Sequence, residues 1–517
     1  MKVACVQQKA EGIESYKGIF ENLKNLVTEA AANKAELIVL PECAYPAYFL
    51  GIDKEACDKA LGEAEKFLEQ TAALAAELKV YLATGVAVYE GDKLYNAAYM
   101  FDDNGKLVHK TAKSNMWHFD STWFTPGEEY EAFDTKFGRM GMLICADGRV
   151  PEIARILALK GAKLIIDTVN LTAAAAEPKA LMNQQYAFML PVRAMENGTW
   201  FLVSDKAGLE AKTASYLGRS MVIDPKGNIV ADASPDKQEI VYYDVDMGLA
   251  ETKGAERRPE LYGDLVKKTE ELPVYQAIKE SVLDLAKTEV FVSAAAFPAD
   301  TCGKYMQEAE FYIRACEIMG TKLLCLPQLN VDTDLEPVVN QLRQKLSTDM
   351  ILVISGTCGG CKTGFVFDKE KIYAEYQKTH GESSNPEARL KVTETPYGRV
   401  AVIFDEEAYT QEIARVCMLN GCEILIWSDS AARTMDTKVM QTRGAENKIF
   451  VVRTSSAQND TASIVNPGGQ VSTSTFRGVE QAASGLVFLP DARTKTVVPG
   501  THIVLGRIPA AYGDLVK

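Results

Sequence analysis

Two stretches of equal length decide the fold of this chain: RMGMLICADGRVPEIARILALKGAKLIIDT at 139–168 and RVAVIFDEEAYTQEIARVCMLNGCEILIWS at 399–428. Each begins with an apolar run typical of a buried strand, passes through a turn, continues with helical spacing and ends in a second apolar run. The two stretches align without a gap at a separation of 260 residues. Strands and helices that alternate in this way predict an α/β layered domain, present twice.

The repeat continues on both sides of these stretches. The hexapeptide YGDLVK occurs at 262–267 and again at 512–517, and RGAENKIFVV corresponds to RAMENGTWFLV. Because the period is about 250 residues, it indicates a domain duplication and not a solenoid. We therefore predict a domain at 1–267, a linking helix at 268–287 and a second domain at 288–517.

Composition excludes several classes of function. The chain has 517 residues and a net charge of −14, which argues against nucleic acid or an anionic membrane surface as a partner. We find no signal peptide at the N-terminus and no apolar run of about 20 residues, the length that spans a bilayer. With 11 cysteines scattered through apolar runs, we expect a soluble cytoplasmic protein with reduced thiols.

One CxxC motif, Cys358 and Cys361, has no second ligand pair, so we predict a glycine turn between two strands and not a zinc site. We expect neither a metal nor an organic cofactor.

Three residues stand at positions suited to nucleophilic catalysis. Cys145 ends an apolar strand before a helix N-terminus, where backbone amides and a nearby ammonium would favour the thiolate. Glu42 ends the strand in LIVLPECAYP, and a carboxylate partly removed from water could accept a thiol proton. Lys110 follows the strand in LVHKTAK and could stabilise an oxyanion.

In their order and spacing these motifs, together with WFTPG at 123–127 and VRAMENG at 192–198, resemble the nitrilase, or carbon–nitrogen hydrolase, superfamily. The resemblance covers roughly residues 1–265 and, in degenerate form, most of the rest. It implies αββα sandwich domains and a catalytic triad of Glu42, Lys110 and Cys145. Since members of the family pair two sandwiches face to face, we expect an intramolecular pseudo-dimer (αββα–αββα), with further homo-oligomerisation open.

The resemblance also implies supporting residues. The backbone N–H of Ala146 is the expected second oxyanion donor. Asp120 stands where many members carry a second glutamate, and its shorter side chain departs from the pattern. Arg149 could pair with a substrate carboxylate. Aromatic residues near the motifs are candidates to line the substrate pocket, or are ordinary core residues: Tyr45, Tyr48, Phe49, Trp117 and Trp123.

The second copy lacks the residues needed for this chemistry. Gln328 replaces the base and Asp405 replaces the nucleophile, while Lys378 remains as the counterpart of Lys110. Glutamine cannot accept a proton at neutral pH, and a carboxylate is a poorer nucleophile towards amides than a thiolate. We therefore predict that the second domain is catalytically inactive.

We expect the first domain to hydrolyse the C–N bond of a small amide or carbamoyl compound through a thioester on Cys145. True nitrilases resemble C-W-E at the nucleophile, whereas this chain reads C-A-D-G. Three alternatives stay open: a nitrilase, an acyl transferase that passes the thioester to an amine, and a binding scaffold without catalysis.

Overall fold

A computed structural model describes residues 1–251, 257–279 and 288–517. The chain divides into two α/β units, which confirms the predicted fold class. The first unit comprises Met1–Gly254, Thr496–His502 and Gly506–Leu515, and the second comprises Ala255–Lys495, Ile503–Leu505 and Val516–Lys517. Within the described ranges, no helix is both long and apolar enough to cross a membrane.

In the first unit, helices lie outside two sheets. The helices are α1 Tyr16–Ala32, α2 Lys54–Gly62, α3 Ala64–Leu78, α4 Pro151–Leu159 and α5 Leu190–Asn197. The strands are β1 Lys2–Lys9, β2 Leu37–Val39, β3 Tyr81–Glu90, β4 Lys93–Phe101, β5 Leu107–Ala112, β6 Ala132–Thr135, β7 Gly138–Ile144, β8 Leu164–Thr168, β9 Trp200–Ser204, β10 Lys206–Glu210, β11 Ala214–Leu217, β12 Met221–Ile223, β13 Ile229–Asp232 and β14 Glu239–Asp244.

The strands of the first unit form two sheets that contact each other through β1 and β9 and through β5 and β7. One sheet has the order β11-β10-β1-β2-β3-β4-β5, with β14 also paired to β1, and the other has the order β13-β12-β9-β8-β7-β6. Helix α1 buries Ile19, Leu23 and Leu26 against the first sheet, at the three- to four-residue spacing that gives a helix one apolar face. Helix α4 begins at Pro151, a residue suited to a first helical turn.

This topology brings the carboxyl ends of parallel strands together. Strands β1, β2 and β3 run parallel, and so do β7, β8 and β9. Strand β5 runs in the same direction as β3, because each pairs antiparallel with β4. The segments that follow β2, β5 and β7 therefore leave at carboxyl ends, which is where α/β folds place their ligands.

The second unit repeats the first with its strands joined into one 12-stranded sheet. Its helices are α6 Pro273–Lys279, α7 Cys302–Ile318, α8 Glu336–Arg343, α9 Gln411–Leu419, α10 Asp436–Asn447 and α11 Leu489–Arg493. Its strands are β15 Glu289–Ala296, β16 Leu323–Asp332, β17 Ile351–Cys358, β18 Cys361–Phe367, β19 Ile372–Gln377, β20 Thr393–Thr395, β21 Gly398–Phe404, β22 Ile424–Asp429, β23 Phe450–Ser455, β24 Ser463–Val465, β25 Val471–Ser474 and β26 Gln481–Phe488.

Two sequence predictions fall in this unit. Cys358 and Cys361 face each other across the β17–β18 hairpin, with two glycines in the turn, so the predicted glycine turn is confirmed. The predicted linking helix at 268–287 is described only in part: α6 covers Pro273–Lys279, and 280–287 lie outside the described residues.

The predicted boundary at Lys267 differs from the division of the structure, because the segment that ends the first sequence repeat belongs to the second unit. There the Tyr262 hydroxyl lies 2.7 Å from His380 Nε2, and the two rings stack. Asp264 accepts a hydrogen bond of 2.6 Å from Asn420, which caps the C-terminus of α9.

Most of the segment that ends the second repeat, Gly506–Leu515, belongs to the first unit, where its tyrosine also stacks on a ring and its aspartate also contacts the C-cap of a helix. Tyr512 stacks on Tyr130 with a centroid separation of 6.4 Å. Asp514 pairs with Lys160 at 3.4 Å, and Lys160 caps α4 as its counterpart Asn420 caps α9. The first hexapeptide therefore lies in the unit built mainly from the second repeat, and residues 512–515 of the second hexapeptide lie in the unit built mainly from the first repeat.

Candidate active site

The loop after β7 holds Cys145 in a conformation unusual for a side chain other than glycine. Its φ is +54°, in the left-handed region, and it opens a 3₁₀ turn over Cys145–Arg149. The Cys145 N–H donates to Asp167 Oδ1 at 2.8 Å, and the Ile144 N–H donates to Asp147 Oδ2 at 3.1 Å. These bonds over-determine the strained residue, an arrangement that occurs at functional sites.

A fully buried cluster of opposite charges lies beside this turn. Glu42, Lys113 and Asp120 are each 0% exposed. Lys113 Nζ lies 2.8 Å from Glu42 Oε1 and 2.7 Å from Asp120 Oδ2. Although burial lowers the pKa of Lys113, the Asp120 and Glu42 carboxylates outweigh that effect and hold the pKa well above its usual value. Lys113 is therefore a permanent positive charge.

The two carboxylate oxygens of Glu42 have different surroundings. Oε1 accepts from Asn96 Nδ2 at 2.6 Å as well as from Lys113, whereas Oε2 is buried without a hydrogen-bond partner in the part of the chain that the structure describes. Gly85 of β3 makes room for this segment, because a Cβ there would lie 2.6 Å from Glu42 Cα. Glu42 is thus fixed by one oxygen and free to accept a proton at the other.

Cys145 and Glu42 are linked through a single asparagine. Cys145 Sγ lies 3.8 Å from the Asn170 carbonyl oxygen, and Asn170 Nδ2 donates to the Glu42 carbonyl at 3.0 Å. Burial raises the pKa of the Cys145 thiol well above its usual value, Glu42 raises it further, and Lys113 lowers it. The resting residue is therefore a thiol. The expected preference for thiolate is wrong, because burial and the carboxylate outweigh the ammonium.

The structure does not bring Lys110 to this cluster. Its side chain is 39% exposed and pairs with Glu90 at 2.7 Å, across the surface formed by β3, β4 and β5. The position beside Glu42 that we expected for Lys110 is occupied by Lys113, the first residue after β5. Since β5 ends at Ala112, Lys110 is held in the strand, whereas Lys113 can turn into the space at the carboxyl end.

Asp120 is brought into the cluster, where its oxygens are fully used. Oδ1 accepts from the Tyr48 hydroxyl at 2.6 Å, and Oδ2 accepts from the Trp117 N–H at 2.8 Å in addition to Lys113. Tyr48 is 1% exposed, and Lys113 Nζ lies 5.4 Å from the centre of its ring. Asp120 therefore holds the ammonium in place from the side opposite Glu42.

Arg149 and Trp117 form a second feature of the site. The guanidinium lies 5.0 Å from the centre of the Trp117 ring, and it donates to Gln184 at 2.9 Å. Burial lowers the pKa of Arg149 to about 10, so it stays charged at neutral pH. In the described residues, no carboxylate forms an ion pair with it.

The remaining candidates contact other residues of the first unit. Trp123 packs edge-on against Phe49 and Phe119 in an aromatic cluster. The Tyr45 hydroxyl donates to the Ala60 carbonyl, and its ring stacks on Phe67 in the core. Ala146 follows Cys145 in the 3₁₀ turn, and its carbonyl accepts from Asn115.

The family of the chain follows from a direct match. The sequence model of a family described as carbon-nitrogen hydrolase matches residues 2–253 and 309–483. The chain belongs to the carbon–nitrogen hydrolase family. The two matched regions confirm the predicted relationship and agree with the duplication.

Individual relatives of this carbon–nitrogen hydrolase match up to about half of its length. It is 31% identical over 258 residues to a nitrilase of Pyrococcus abyssi, which covers 49% of this chain and 92% of that protein. It is 32% identical over 238 residues to the omega-amidase NIT2 of Danio rerio, with 43% and 81% covered. A solved amidase from Nesterenkonia sp. matches with a TM-score of 0.44 and 21% identity, over 50% of this chain and 94% of that one.

The second copy of the hydrolase keeps the shape of the turn but fills it with a closed polar network. Asp405, at φ +47°, corresponds to Cys145. Its Oδ1 accepts from Gln328 Nε2 at 3.0 Å and from the Ser430 hydroxyl at 2.8 Å. Gln328 Oε1 accepts from Lys362 at 2.6 Å. Every polar atom of Gln328 is therefore engaged, in contrast to the open oxygen of Glu42.

Lys378 is buried next to this network, 2.6 Å from Glu406 and 3.9 Å from Asp405. Lys378 is the first residue after β19, as Lys113 is the first residue after β5. Lys378 is therefore the counterpart of Lys113 and not of Lys110. The loop that carries Tyr48 in the first copy is replaced by an extension of strand β16, which pairs with β17 beyond Gln328.

Four residues of the first site were missed by sequence reasoning: Asn96, Lys113, Asp167 and Asn170. A signal existed for Lys113. The segments KLVHKTAKSN at 106–115 and KIYAEYQKTH at 371–380 align without a gap at a separation of 265 residues, which pairs Lys113 with Lys378. The others are brought to the site by packing between strands distant in sequence, and no motif marks them.

Proposed function

We propose that the first unit hydrolyses small carboxamides through an acyl-thioester on Cys145, with Glu42 as the general base and Lys113 as the electrostatic stabiliser. The observation that carries the proposal is the asymmetry of Glu42: one oxygen is fixed by Lys113 and Asn96, and the other is buried and unpartnered. An oxygen in that state is a proton acceptor placed within the same buried cluster as the thiol.

The mechanism starts from the neutral thiol. As Cys145 Sγ attacks the amide carbon, its proton moves to Glu42 Oε2, and the carbonyl π electrons move to oxygen. Lys113 and the Ala146 N–H stabilise the resulting oxyanion. Glu42 then returns the proton to the departing nitrogen, and ammonia leaves. A water molecule gives its proton to Glu42 and attacks the thioester, so that the acid is released and the thiol re-forms.

Asp120 serves in this scheme as a positioning residue. Both of its oxygens are occupied by donors, so it holds Lys113 towards the reacting carbonyl and takes no part in proton transfer.

Trapping the intermediate tests the proposal. The full-length chain is mixed with butyramide, quenched in acid within milliseconds to seconds, and analysed by intact and peptide mass spectrometry. We expect a butyryl adduct on Cys145 and release of ammonia. Cys145→Ala should lose both, whereas Cys302→Ala, which changes a thiol at the start of α7, should keep both.

Two further arms separate the alternatives. Butyronitrile replaces butyramide to test for a nitrilase, and added hydroxylamine tests for acyl transfer by formation of butyrohydroxamate. Because the substrate class is a prediction, the adduct is also sought with succinamate. Ammonia release that survives Cys145→Ala, with no adduct from any substrate, would refute the thioester mechanism.

Arg149 supports a narrower substrate class. It is a buried cation without a carboxylate partner among the described residues, it lies four residues after Cys145, and one relative is named an omega-amidase. We infer that it binds a carboxylate at the far end of the substrate, as in the ω-monoamide of a dicarboxylic acid. A buried charge of this kind favours a substrate that brings the opposite charge.

We expect Arg149→Met to reduce kcat/KM for succinamate by roughly 10- to 100-fold, the loss of a charge-assisted contact, while butyramide, of equal chain length, changes by less than about twofold. The ratio of the two kcat/KM values is measured in the variant and in the wild type. An equal fall for both substrates would show that Arg149 is structural.

A further inference from the structure

The C-terminal segment of the chain contributes a hairpin to the first unit. Strand β27, Thr496–Val498, pairs with β28, Thr501–His502, through a turn at Gly500, whose φ is +86°. The turn packs directly on backbone, because a Cβ at Gly500 would lie 2.2 Å from the His118 carbonyl oxygen. No side chain fits there, so the tip of the hairpin rests against the loop that follows β5.

Thr501 joins this hairpin to the loop by two hydrogen bonds. Its Oγ1 accepts from the His118 N–H at 2.8 Å and donates to the Met116 carbonyl at 2.9 Å. Thr501 is buried, with 3% of its surface exposed. One side chain therefore fixes the backbone on both sides of Trp117.

Trp117 is the residue through which the loop reaches the buried charges. Its N–H donates to Asp120 Oδ2, the atom that also lies 2.7 Å from Lys113 Nζ. Its ring lies under the Arg149 guanidinium. Movement of the loop would displace Asp120 and, with it, the ammonium that faces Glu42.

The tail makes a second, independent contact near the same residues. Tyr512, 1% exposed, stacks on Tyr130. The Tyr130 hydroxyl donates to Ser114 Oγ at 3.0 Å, and Ser114 is the residue after Lys113. Ser114 in turn donates to Asp147 Oδ1, two residues after Cys145. The C-terminal segment thus supports both the loop that carries Lys113 and the turn that carries Cys145.

We propose that the C-terminal segment, residues 496–502 and 506–515, is a positioning element of the first active site, with Thr501 as its principal positioning residue. The site is then incomplete without residues from the C-terminal end of the second sequence repeat. On this proposal, the second copy is retained in part because residues of its C-terminal segment complete the first site. This inference rests on the proposed amide hydrolysis where it is tested by turnover, but not where it is tested by alkylation of Cys145.

The kinetic test compares three variants of the full chain. Thr501→Val keeps the shape of the side chain and removes the hydroxyl, so we expect kcat for butyramide to fall about tenfold, with KM changed by less than about twofold. Thr501→Ser keeps the hydroxyl and should retain at least half of the activity. Thr494→Val makes the same change at a hydroxyl that bonds to Pro490 in the second unit, and it should leave kcat unchanged.

The chemical test needs no turnover. Iodoacetamide alkylates Cys145 as the thiolate, and the rate is followed by peptide mass spectrometry at several pH values. Lys113 lowers the pKa of Cys145, so loosening the ammonium raises that pKa and slows alkylation at a given pH. We expect a several-fold slower rate in Thr501→Val and a normal rate in Thr501→Ser and Thr494→Val.

The two tests distinguish the two proposals. If the wild type hydrolyses no amide but Thr501→Val still slows alkylation, the tail proposal stands and the amidase proposal falls. If the wild type turns over amides and Thr501→Val matches it in kcat and in alkylation, the tail is a structural appendage and the proposal is overturned. Loss of activity in Thr494→Val equal to that in Thr501→Val would overturn it as well, since the effect would then be general destabilisation.

Discussion

Replacing Lys113 with methionine should lower amide turnover by about 10³-fold, while the same replacement at Lys110 should leave turnover within about twofold. Removing one oxyanion-stabilising group costs about 10²–10³ in kcat, and Lys113 also orients Glu42. Lys110 forms an exposed ion pair, a contact that contributes at most about 1 kcal/mol to stability. The measurement is kcat for butyramide or succinamate in both variants.

The two variants carry the same substitution, lysine to methionine, at positions three residues apart in one segment. Lys113→Met leaves the buried Glu42 and Asp120 carboxylates without their shared partner, a change that can destabilise a protein by about 3–5 kcal/mol. Thermal unfolding is therefore recorded for both, and activity is measured well below the lower Tm. A reversed order of activities would restore Lys110 to the catalytic role and would remove the mechanism proposed above.

Replacing Glu42 with glutamine should have opposite effects on turnover and on alkylation. We expect turnover to fall by about 10³-fold, because a general base contributes about 10²–10⁴ and glutamine accepts no proton at neutral pH. Removal of the carboxylate also removes a group that raises the pKa of Cys145. With the pKa lowered, more thiolate is present at each pH below it, so iodoacetamide should react faster than with the wild type.

The sign of the alkylation change makes this variant informative. If the substitution merely damaged the site, turnover and alkylation would both become slower. If it removes only the base and leaves the pocket intact, turnover becomes slower and alkylation becomes faster. Glu90→Gln is the control, since it neutralises a half-exposed carboxylate that pairs with Lys110, and it should change neither rate. Slower alkylation in Glu42→Gln would contradict the electrostatic account of the site.

The fold and the positions of Glu42 and Cys145 could be predicted from sequence because they belong to local motifs. Glu42 and Cys145 each end an apolar strand, and strand ends at one edge of a sheet meet in space. The lysine was placed three residues too early because two lysines stand in HKTAK, and the motif alone does not say where the strand ends. The gap-free alignment of the two copies through Lys106 and Lys371 would have chosen Lys113.

Other features depend on information that the sequence does not carry locally. The protonation state of Cys145 is set by its burial, which results from the packing of the whole unit. The predicted boundary at Lys267 and the division of the structure differ because a repeat gives no sign of which copy each tail joins. Contacts such as those of Thr501 with residues 116 and 118 span more than 380 positions, so no local pattern reports them.

The placement of the tails restricts how this gene can shorten. A stop codon after residue 267 would delete the second domain, which we predict to be inactive, and it would also delete Gly500, Thr501 and Tyr512 from the first unit. The truncated chain would keep the hexapeptide at 262–267, which could replace the deleted hexapeptide at 512–517. Residues 257–267 contain no counterpart of the β27–β28 hairpin. If Thr501 positions the first site as proposed, selection on that site also keeps the coding sequence of the second domain intact up to these residues.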